Sequence, residues 1–475
     1  MNKVIKDLLS RKSFVFSIII IGLFSILAVA APALTPYSNP YLPSQQYVAA
    51  PYAVPSWATI FPQYRELPPD VSFTFTRYVS SESSYVTAIN ASYIKVVVPP
   101  GQTVNVSFPF KWNWSDPYNV VVSFKLLTPS TTSFVVNLYF NGLYAMELSP
   151  EPFPVEPAVS ISPGKVNSVV FNSKYISSVN SPFASELPLS KQALAAYEFP
   201  SYALPKPGTY NVTVSFENTG SSKEVFVMSL PSYSSLGYVY GKLGTDDNGA
   251  SVFAEFVYGA RFDLYLSILA SVLIIGIGLF IGLLAGYIGG FTDLSLNALT
   301  DFFLLIPGLP LLVVLISIFD VTGTIVNVNK PTLILLIISL LSWPGTAKII
   351  RGQTLSLKSR TFVEAAKALG EGNSRILFRH ILPNLMGILF AQLAYDVPGV
   401  ILAESGLDFL GLGITEFPTW GNMLGFATYN VSFINGFAWW WVLPPGLGIV
   451  LLSTAFYFFG SAMLDVLSPY KLRGE

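Results

Sequence analysis

The sequence predicts an α-helical membrane protein of about six transmembrane helices, with an all-β domain inserted after the first. Three observations predict it. Hydrophobic residues make up 52% of the 475 and charged ones only 11%, against about 25% charged in an ordinary soluble domain. Six stretches are apolar over the roughly 20 residues that a helix needs to cross about 30 Å of hydrocarbon. Between the first and second, about 210 residues contain no such stretch and instead alternate apolar with polar. The same composition narrows the chemistry. Lys and Arg number 26 against 27 Asp and Glu, a net charge of −1 that gives nucleic acid no electrostatic footing. With no Cys and one His, disulfide frameworks, Cys-ligated zinc, iron–sulfur clusters, thiol catalysis and multi-histidine metal sites are excluded.

In chain order, residues 1–13 form a basic N-terminal segment and 14–34 hold the first span, Phe14–Ala31. The basic residues before it and Ala28-Val29-Ala30-Ala31 at its end also fit a cleavable signal peptide. A retained helix is the expectation adopted. Residues 35–60, with Pro36, Pro40, Pro43, Pro51 and Pro55, read as an extended linker, because Pro surrenders the donor that helix and sheet require. Residues 61–240 read as an antiparallel β-sandwich, and 241–475 hold the other five spans. These are Phe262–Ile288, Phe302–Phe319, Pro331–Ile350, Leu385–Ala403 and Leu443–Leu464.

Lys and Arg in the short loops set the orientation. Lys3, Lys6, Arg11 and Lys12 precede the first span, seven more fall between Lys348 and Arg379, and Lys471 and Arg473 follow the last. The opposite side offers only Lys330, thirteen against one. Both termini and the 351–383 loop are therefore expected in the cytoplasm, and residues 35–260 outside the cell.

The sandwich reading rests on period-2 alternation in short runs. Ile94, Val96 and Val98 share a face, as do Val104 to Phe110, Val120 to Leu126, Phe134 to Phe140 and Tyr210 to Phe216 at alternate positions. Asn141-Gly142 between two runs signals a type I′ hairpin. Five Asn-x-Ser/Thr sequons, at Asn90, Asn105, Asn113, Asn211 and Asn430, all fall on the expected outer side and make glycosylation a candidate modification. Chance occurrence in a Ser-rich chain explains the same pattern.

The most informative stretch is Phe362-Val363-Glu364-Ala365-Ala366-Lys367-Ala368-Leu369-Gly370, continuing through Glu371 to His380-Ile381-Leu382-Pro383-Asn384. It reads as two short amphipathic helices hinged at Gly370 and Gly372 and stopped by Pro383. Such a basic surface suits a lever for a soluble partner, and equally a helix resting on anionic headgroups. Glu364, Ala365, Ala366, Gly370, His380, Leu382 and Pro383 at this spacing resemble the EAA loop of ABC-importer permeases, and His380 followed by Leu-Pro-Asn resembles the dipeptide/oligopeptide branch. Leu243 to Gly249, Tyr258 to Arg261, Ala285 to Gly290, Trp343-Pro344-Gly345, Arg351-Gly352-Gln353, Glu404, Phe409 to Gly413 and Trp420 to Leu424 extend the likeness to that branch's C-type subunits. It covers roughly half the chain, Leu243 to Pro469 plus the first span. Two departures stand out: the long insertion after the first span, and Ala250 where the family commonly has Arg.

The resemblance implies a type I ABC importer permease fold and one subunit of an importer of oligopeptides. It also implies partners: a second homologous permease, two ATPase subunits holding ATP and Mg, an external substrate-binding protein, and membrane lipid. The chain has no Gly-x-x-x-x-Gly-Lys-Ser/Thr of its own, so it is expected to be a transporter subunit, not an enzyme, without cofactor or metal. Oligosaccharide cargo is the alternative, and a membrane-anchored surface-display protein a more distant one.

Inside the spans, Asp396 beside Pro398 and Gly399 is costly unless it faces a path or a partner. Asp396, Pro398 and Glu404 are accordingly expected at the pathway or a subunit interface. Trp439-Trp440-Trp441 reads as an aromatic belt, with a sugar-stacking platform as the lesser reading. His380 has no acid–base partner in sequence and is read as part of the docking surface.

Overall fold

The computed structural model describes residues 2–150, 159–177, 180–322, 329–430 and 438–467. Two compact units emerge: Tyr47–Ala250, and Met1–Gln46 together with Ser251–Glu475. Lys471, Arg473 and the side chain of Asn430 lie outside the described residues. The chain begins with α1 (Asn2–Ser10) and α2 (Lys12–Leu34).

Residues 47–60 do not form the extended linker expected of them. Ala49, Ala50, Ala53 and Ala58 are fully buried within the first-named unit. Val48 N donates to Gly249 O (2.9 Å), Val54 N to Tyr238 O (2.8 Å) and Tyr240 N back to Val54 O (2.9 Å). Small alanines between the prolines let this backbone lie close against residues 237–250, which supply the acceptors that Pro spacing leaves it to find.

The strands follow: β1 (Val71–Thr74), β2 (Val79–Ser80), β3 (Val86–Asn90), β4 (Tyr93–Val98), β5 (Thr103–Trp112), β6 (Val121–Leu127) and β7 (Phe134–Phe140). After the tight turn come β8 (Leu143–Pro150), β9 (Val159–Ile161), β10 (Val166–Asn172), β11 (Gly208–Asn218), β12 (Glu224–Ser229) and β13 (Ser232–Ser235). One sheet runs β1-β13-β6-β12-β4-β3, with β10 also on β6; the other runs β2-β5-β11-β7-β8-β9. Pairing is antiparallel except β8 with β9. Every alternating apolar set named from the sequence is buried, from Val96 at 0% exposed to Phe110 at 9%. Asn141 and Gly142 both take positive φ, 46° and 91°, the pair a type I′ turn demands. Between β10 and β11 lie three short helices, α3 (Pro182–Glu186), α4 (Leu189–Gln192) and α5 (Ala195–Ala203). Phe199 of α5 seats them, its ring 5.1 Å from Phe171 and 5.6 Å from Phe140.

The other unit is helical. It comprises α6 (Val252–Ile288), α7 (Gly290–Leu305), α8 (Gly308–Thr322), α9 (Lys330–Lys358), α10 (Thr361–Ala368), α11 (Asn373–Ile376), α12 (Leu382–Phe409), α13 (Trp420–Asn430) and α14 (Trp439–Leu467). Among the described residues, five helical stretches are long and apolar enough to cross a membrane: α2, α6, α9, α11 through α12, and α14. The expected span Phe302–Phe319 is not one helix. It straddles α7 and α8, which meet at 79°, because Pro307 drives Ile306 into extended backbone (φ −74°, ψ 126°). α6 and α9 are held in close approach by glycines four apart. A Cβ on Gly278, Gly282 or Gly286 would come within 2.8, 2.6 and 2.8 Å of Thr346, the Ala347 carbonyl and the Arg351 carbonyl. α2 lies along α14, with Phe14 stacked 5.6 Å from Phe459 and Arg11 paired to Asp465 at 2.5 Å.

Candidate functional site

The coupling segment is built from alternate burial. Val363 and Ala366 of α10, Ile376, Ile381 and Leu385 are all 5% exposed or less and pack with Leu283, Tyr287 and Ile350. The other face of the segment is free: Glu364, Ala365, Lys367, Ala368, Arg375, Arg379 and Pro383 are exposed, with Leu369 at 85% and Phe378 at 68%. Ala365 and Ala366 thus divide their labour, one outward and one inward. The small side chain of Ala366 lets α10 lie close to its support.

Gly370 ends α10 at φ +81°. Glu371 N reaches back to Ala366 O (3.1 Å) and Gly370 N to Lys367 O (2.9 Å), a closure that needs a left-handed residue at this position. Pro383 does not stop the second helix. It occupies the first turn of α12, where a missing N–H costs nothing, and the helix continues into the span. Between α11 and α12 the backbone makes one π turn, Leu377–Ile381. Leu382 is half-buried at its end.

His380 has a partner the sequence did not reveal. Its Nε2 lies 2.8 Å from Glu371 Oε2, and Arg375 Nε faces the other carboxylate oxygen at 3.4 Å. His380 is half-buried, and this contact gives it a structural partner besides the docking role expected of it. Motifs read only as family likeness also acquire physical roles here. Tyr287 Oη donates to Asn373 Oδ1 (3.0 Å), while Lys358 and Lys367 lie over its ring at 5.7 and 5.6 Å. Arg351 makes a bidentate pair with Asp293 (2.5 and 2.7 Å), and Lys348 pairs with Asp301, tying α9 to α7.

Higher in α12, Asp396 accepts from Gln392 Nε2 (3.2 Å) and Thr346 Oγ1 (3.4 Å), bridging α12 and α9. The helix continues unbroken through Pro398. Glu404 is eight residues on, about 12 Å along the axis, so Asp396 and Glu404 belong to different levels and not to one site. Glu404 is instead 1% exposed among acids that sequence reasoning missed: Asp263 of α6 (2%) and Asp408 (4%). Asp408 accepts from Ile414 N (2.6 Å) and from Thr419 Oγ1, and Asp263 from Trp420 N (3.1 Å). Glu255, also fully buried, accepts from Trp441 Nε1 at 3.1 Å. Two signals were present in the sequence: Asp263 opens a predicted span, and Asp408 follows Glu404 by four, one helical turn.

Trp440 and Trp441 are 6% and 1% exposed, so the aromatic-belt and sugar-platform readings of this run both fail for them. Trp441 is committed to Glu255. Trp420-Gly421-Asn422 knits the α12–α13 connection: Asn422 Nδ2 donates to Ile414 O and Phe417 O at 2.8 Å. A Cβ on Gly421 would sit 2.5 Å from Ser405 Cα. The sequons Asn90, Asn105, Asn113 and Asn211 all have exposed side chains. Among the described residues, no group of three or more His, Cys, Asp or Glu is placed to hold a metal.

Residues 278–472 match the family described as binding-protein-dependent transport system inner membrane component. The oligopeptide transport system permease protein OppC of Haemophilus influenzae is 34% identical over 233 residues, 48% of this chain and 70% of that protein. The dipeptide transport system permease protein DppC of Bacillus subtilis is 36% identical over 231 residues, 48% of this chain and 68% of that one. Among solved structures, the inward-facing MetNI methionine ABC transporter is similar at 18% identity, over 45% of this chain and 96% of that one, with a TM-score of 0.37. By its helical unit, this multi-pass membrane chain belongs to the ABC-importer permeases of the dipeptide/oligopeptide family, and its β-sandwich lies outside the residues that match the family.

Proposed function

We propose that this permease subunit works in an ATP-driven importer that takes up oligopeptides. Its α10 docks in an ATPase subunit, and two ATPases, a second permease and an external binding protein complete the assembly. The carrying observation is the two-faced coupling segment, buried along Val363, Ala366, Ile376 and Ile381 and presenting Glu364, Leu369 and Phe378 outward. A segment resting on lipid headgroups would use the same charges and exposed apolar side chains. It would have no use for a left-handed Gly at its elbow or for a support built from three spans. In this reading the loop faces the cytoplasm, as do both termini, and the first helix is retained.

Gly370→Pro cannot take φ +81° and removes the N–H that bonds Lys367 O. Glu364→Lys reverses the exposed acid. Both variants are expected to insert normally and to lose ATP-dependent uptake by the reconstituted complex. Wild-type uptake, with ATPases still bound, would end the coupling reading. Oligopeptide cargo follows the named relatives, and burial removes Trp440 and Trp441 from any sugar-stacking platform. Uptake assays with both cargo classes decide between them. The β-unit, with eleven Lys and Arg against thirteen Asp and Glu over residues 47–250, offers no strong field for capturing an ionic cargo. We assign it to docking the binding protein or shielding the entrance, with glycans at its exposed sequons. Intact mass reads the glycans, and cross-linking in the assembled importer reads the docking.

A further inference from the structure

The step between Ile376 and Ile381 carries an inference beyond coupling as such. Along the second arm of the segment, Ile376, Ile381, Leu385 and Leu389 are the buried positions, all at 7% exposed or less. Their spacing is five, four and four. An α-helix repeats at 3.6 residues, so a five-residue step pushes the face about 140° out of phase unless one turn is widened. The π turn over Leu377–Ile381 is that widening. Without it, the core position four after Ile376 would fall to His380. With it, Ile381 takes the core and His380 moves to the rim, where Glu371 waits at 2.8 Å.

Glu371 is the first residue beyond the left-handed Gly370, on the elbow that ends α10. Asn384 Nδ2 holds the His380 carbonyl from within α12 at 2.7 Å. The contact therefore spans the two arms: the elbow of the docking helix on one side, the root of a membrane-crossing helix on the other.

We propose that Glu371–His380 is a latch that positions α10 on α12, and that the π turn is the joint it locks. His380 and Glu371 are positioning residues: they hold the angle at which a push on α10 reaches the span, and they are not themselves the surface that ATPase touches. The proposal rests on the coupling reading above, and its test separates the two.

The chain has no Cys, so Thr361→Cys on α10 and Met386→Cys on α12, both exposed, can carry spin labels on the two arms. In the complete transporter in nanodiscs, the inter-label distance distribution is expected to be narrow with His380 present and broad in His380→Ala. His380→Gln, which keeps a side-chain donor, should narrow it again. Transport per ATP hydrolysed should fall about tenfold in His380→Ala, the ratio an ordinary hydrogen bond supports, with a mixture of labelled tripeptides as probe. Glu371→Ala should match it, and the double variant should be no worse than either single, since both remove one contact. Additive losses, or an unchanged distribution in His380→Ala, overturn the latch. So does loss of ATPase from the complex in His380→Ala, which would return the residue to the docking surface. The distance readout needs no ATPase. A latch that behaves as expected while Glu364→Lys transports normally leaves the latch standing and removes the coupling reading instead.

Discussion

The β-unit and the helical unit mark their interiors in opposite ways. In the sandwich, large apolar side chains are inside and polar ones outside, so Val212, Val214 and Phe216 at alternate positions name the core outright. In the helices, large apolar side chains point in every direction: Val29, Phe291 and Leu305 are 81, 84 and 83% exposed. Large apolar side chains such as Ile334, Ile350 and Trp420 turn inward too, so what sets the inner faces apart is the small and polar residues among them. Gly278, Gly282 and Gly286 face α9, and Glu255, Asp263, Glu404 and Asp408 are all buried. Water sorts the first unit by hydrophobicity. Hydrocarbon does not sort by it, and leaves close approach and hydrogen bonding to decide which face meets protein.

The largest expected effect breaks the helical half of that contrast. Gly282→Leu is more hydrophobic and would be welcomed by lipid, yet its Cβ alone would meet the Ala347 carbonyl at 2.6 Å. Backbone cannot yield as a side-chain tip can, so α6 and α9 must part. A destabilisation of about 3 kcal/mol or more is expected, at the upper end of overpacking costs. It would be read as loss of detergent-extracted monodisperse protein. Normal yield and thermal stability would show that the glycine stripe is not a packing face.

How far the sequence could be read follows the same division. Strand positions, the hairpin at Asn141-Gly142 and the existence of the spans were legible, because each depends on local period or local φ. Residues 47–60 were misread because Pro content signals lost donors but says nothing of the Ala residues that let the segment pack. The break at Pro307 was hidden by apolarity running straight through it. Of the candidate site, Glu364, Ala366 and Gly370 were legible through spacing. Glu371 was not, since its partner lies nine residues on across a π turn. Asp263 joins the acids of α12 only in three dimensions.

A smaller effect sharpens the polar side of the comparison. Asp396 is held by Gln392 and Thr346 between α12 and α9. Asp396→Asn keeps both an acceptor and the shape, whereas Asp396→Leu strands the Gln392 amide and the Thr346 hydroxyl. Uptake should drop severalfold in the Leu variant and less in the Asn variant, consistent with about 1–3 kcal/mol for a buried group left unpaired. Equal, wild-type uptake by both would mean that the carboxyl lines no path and fixes no interface.

The smallest effect tests the sandwich side at a position where no burial is involved. Gly142 sits at φ 91° with nothing within 4 Å of where a Cβ would be, so space is not what selects glycine there. Conformation is. Gly142→Val forces a β-branched residue into a region that L-residues enter at a cost of roughly 1–2 kcal/mol, while β7 and β8 keep their register from Phe140↔Leu143 outward. Gly142→Asn should cost less, because Asn enters left-handed backbone more readily. Hydrogen exchange of the amides in β7 and β8 within the full chain reads this directly. The Val variant is expected to lose about tenfold in protection near the turn, the Asn variant less, and the α6–α9 amides none. Equal protection in all three proteins would mean that the strands, through their buried alternate residues, impose the turn and need no help from it.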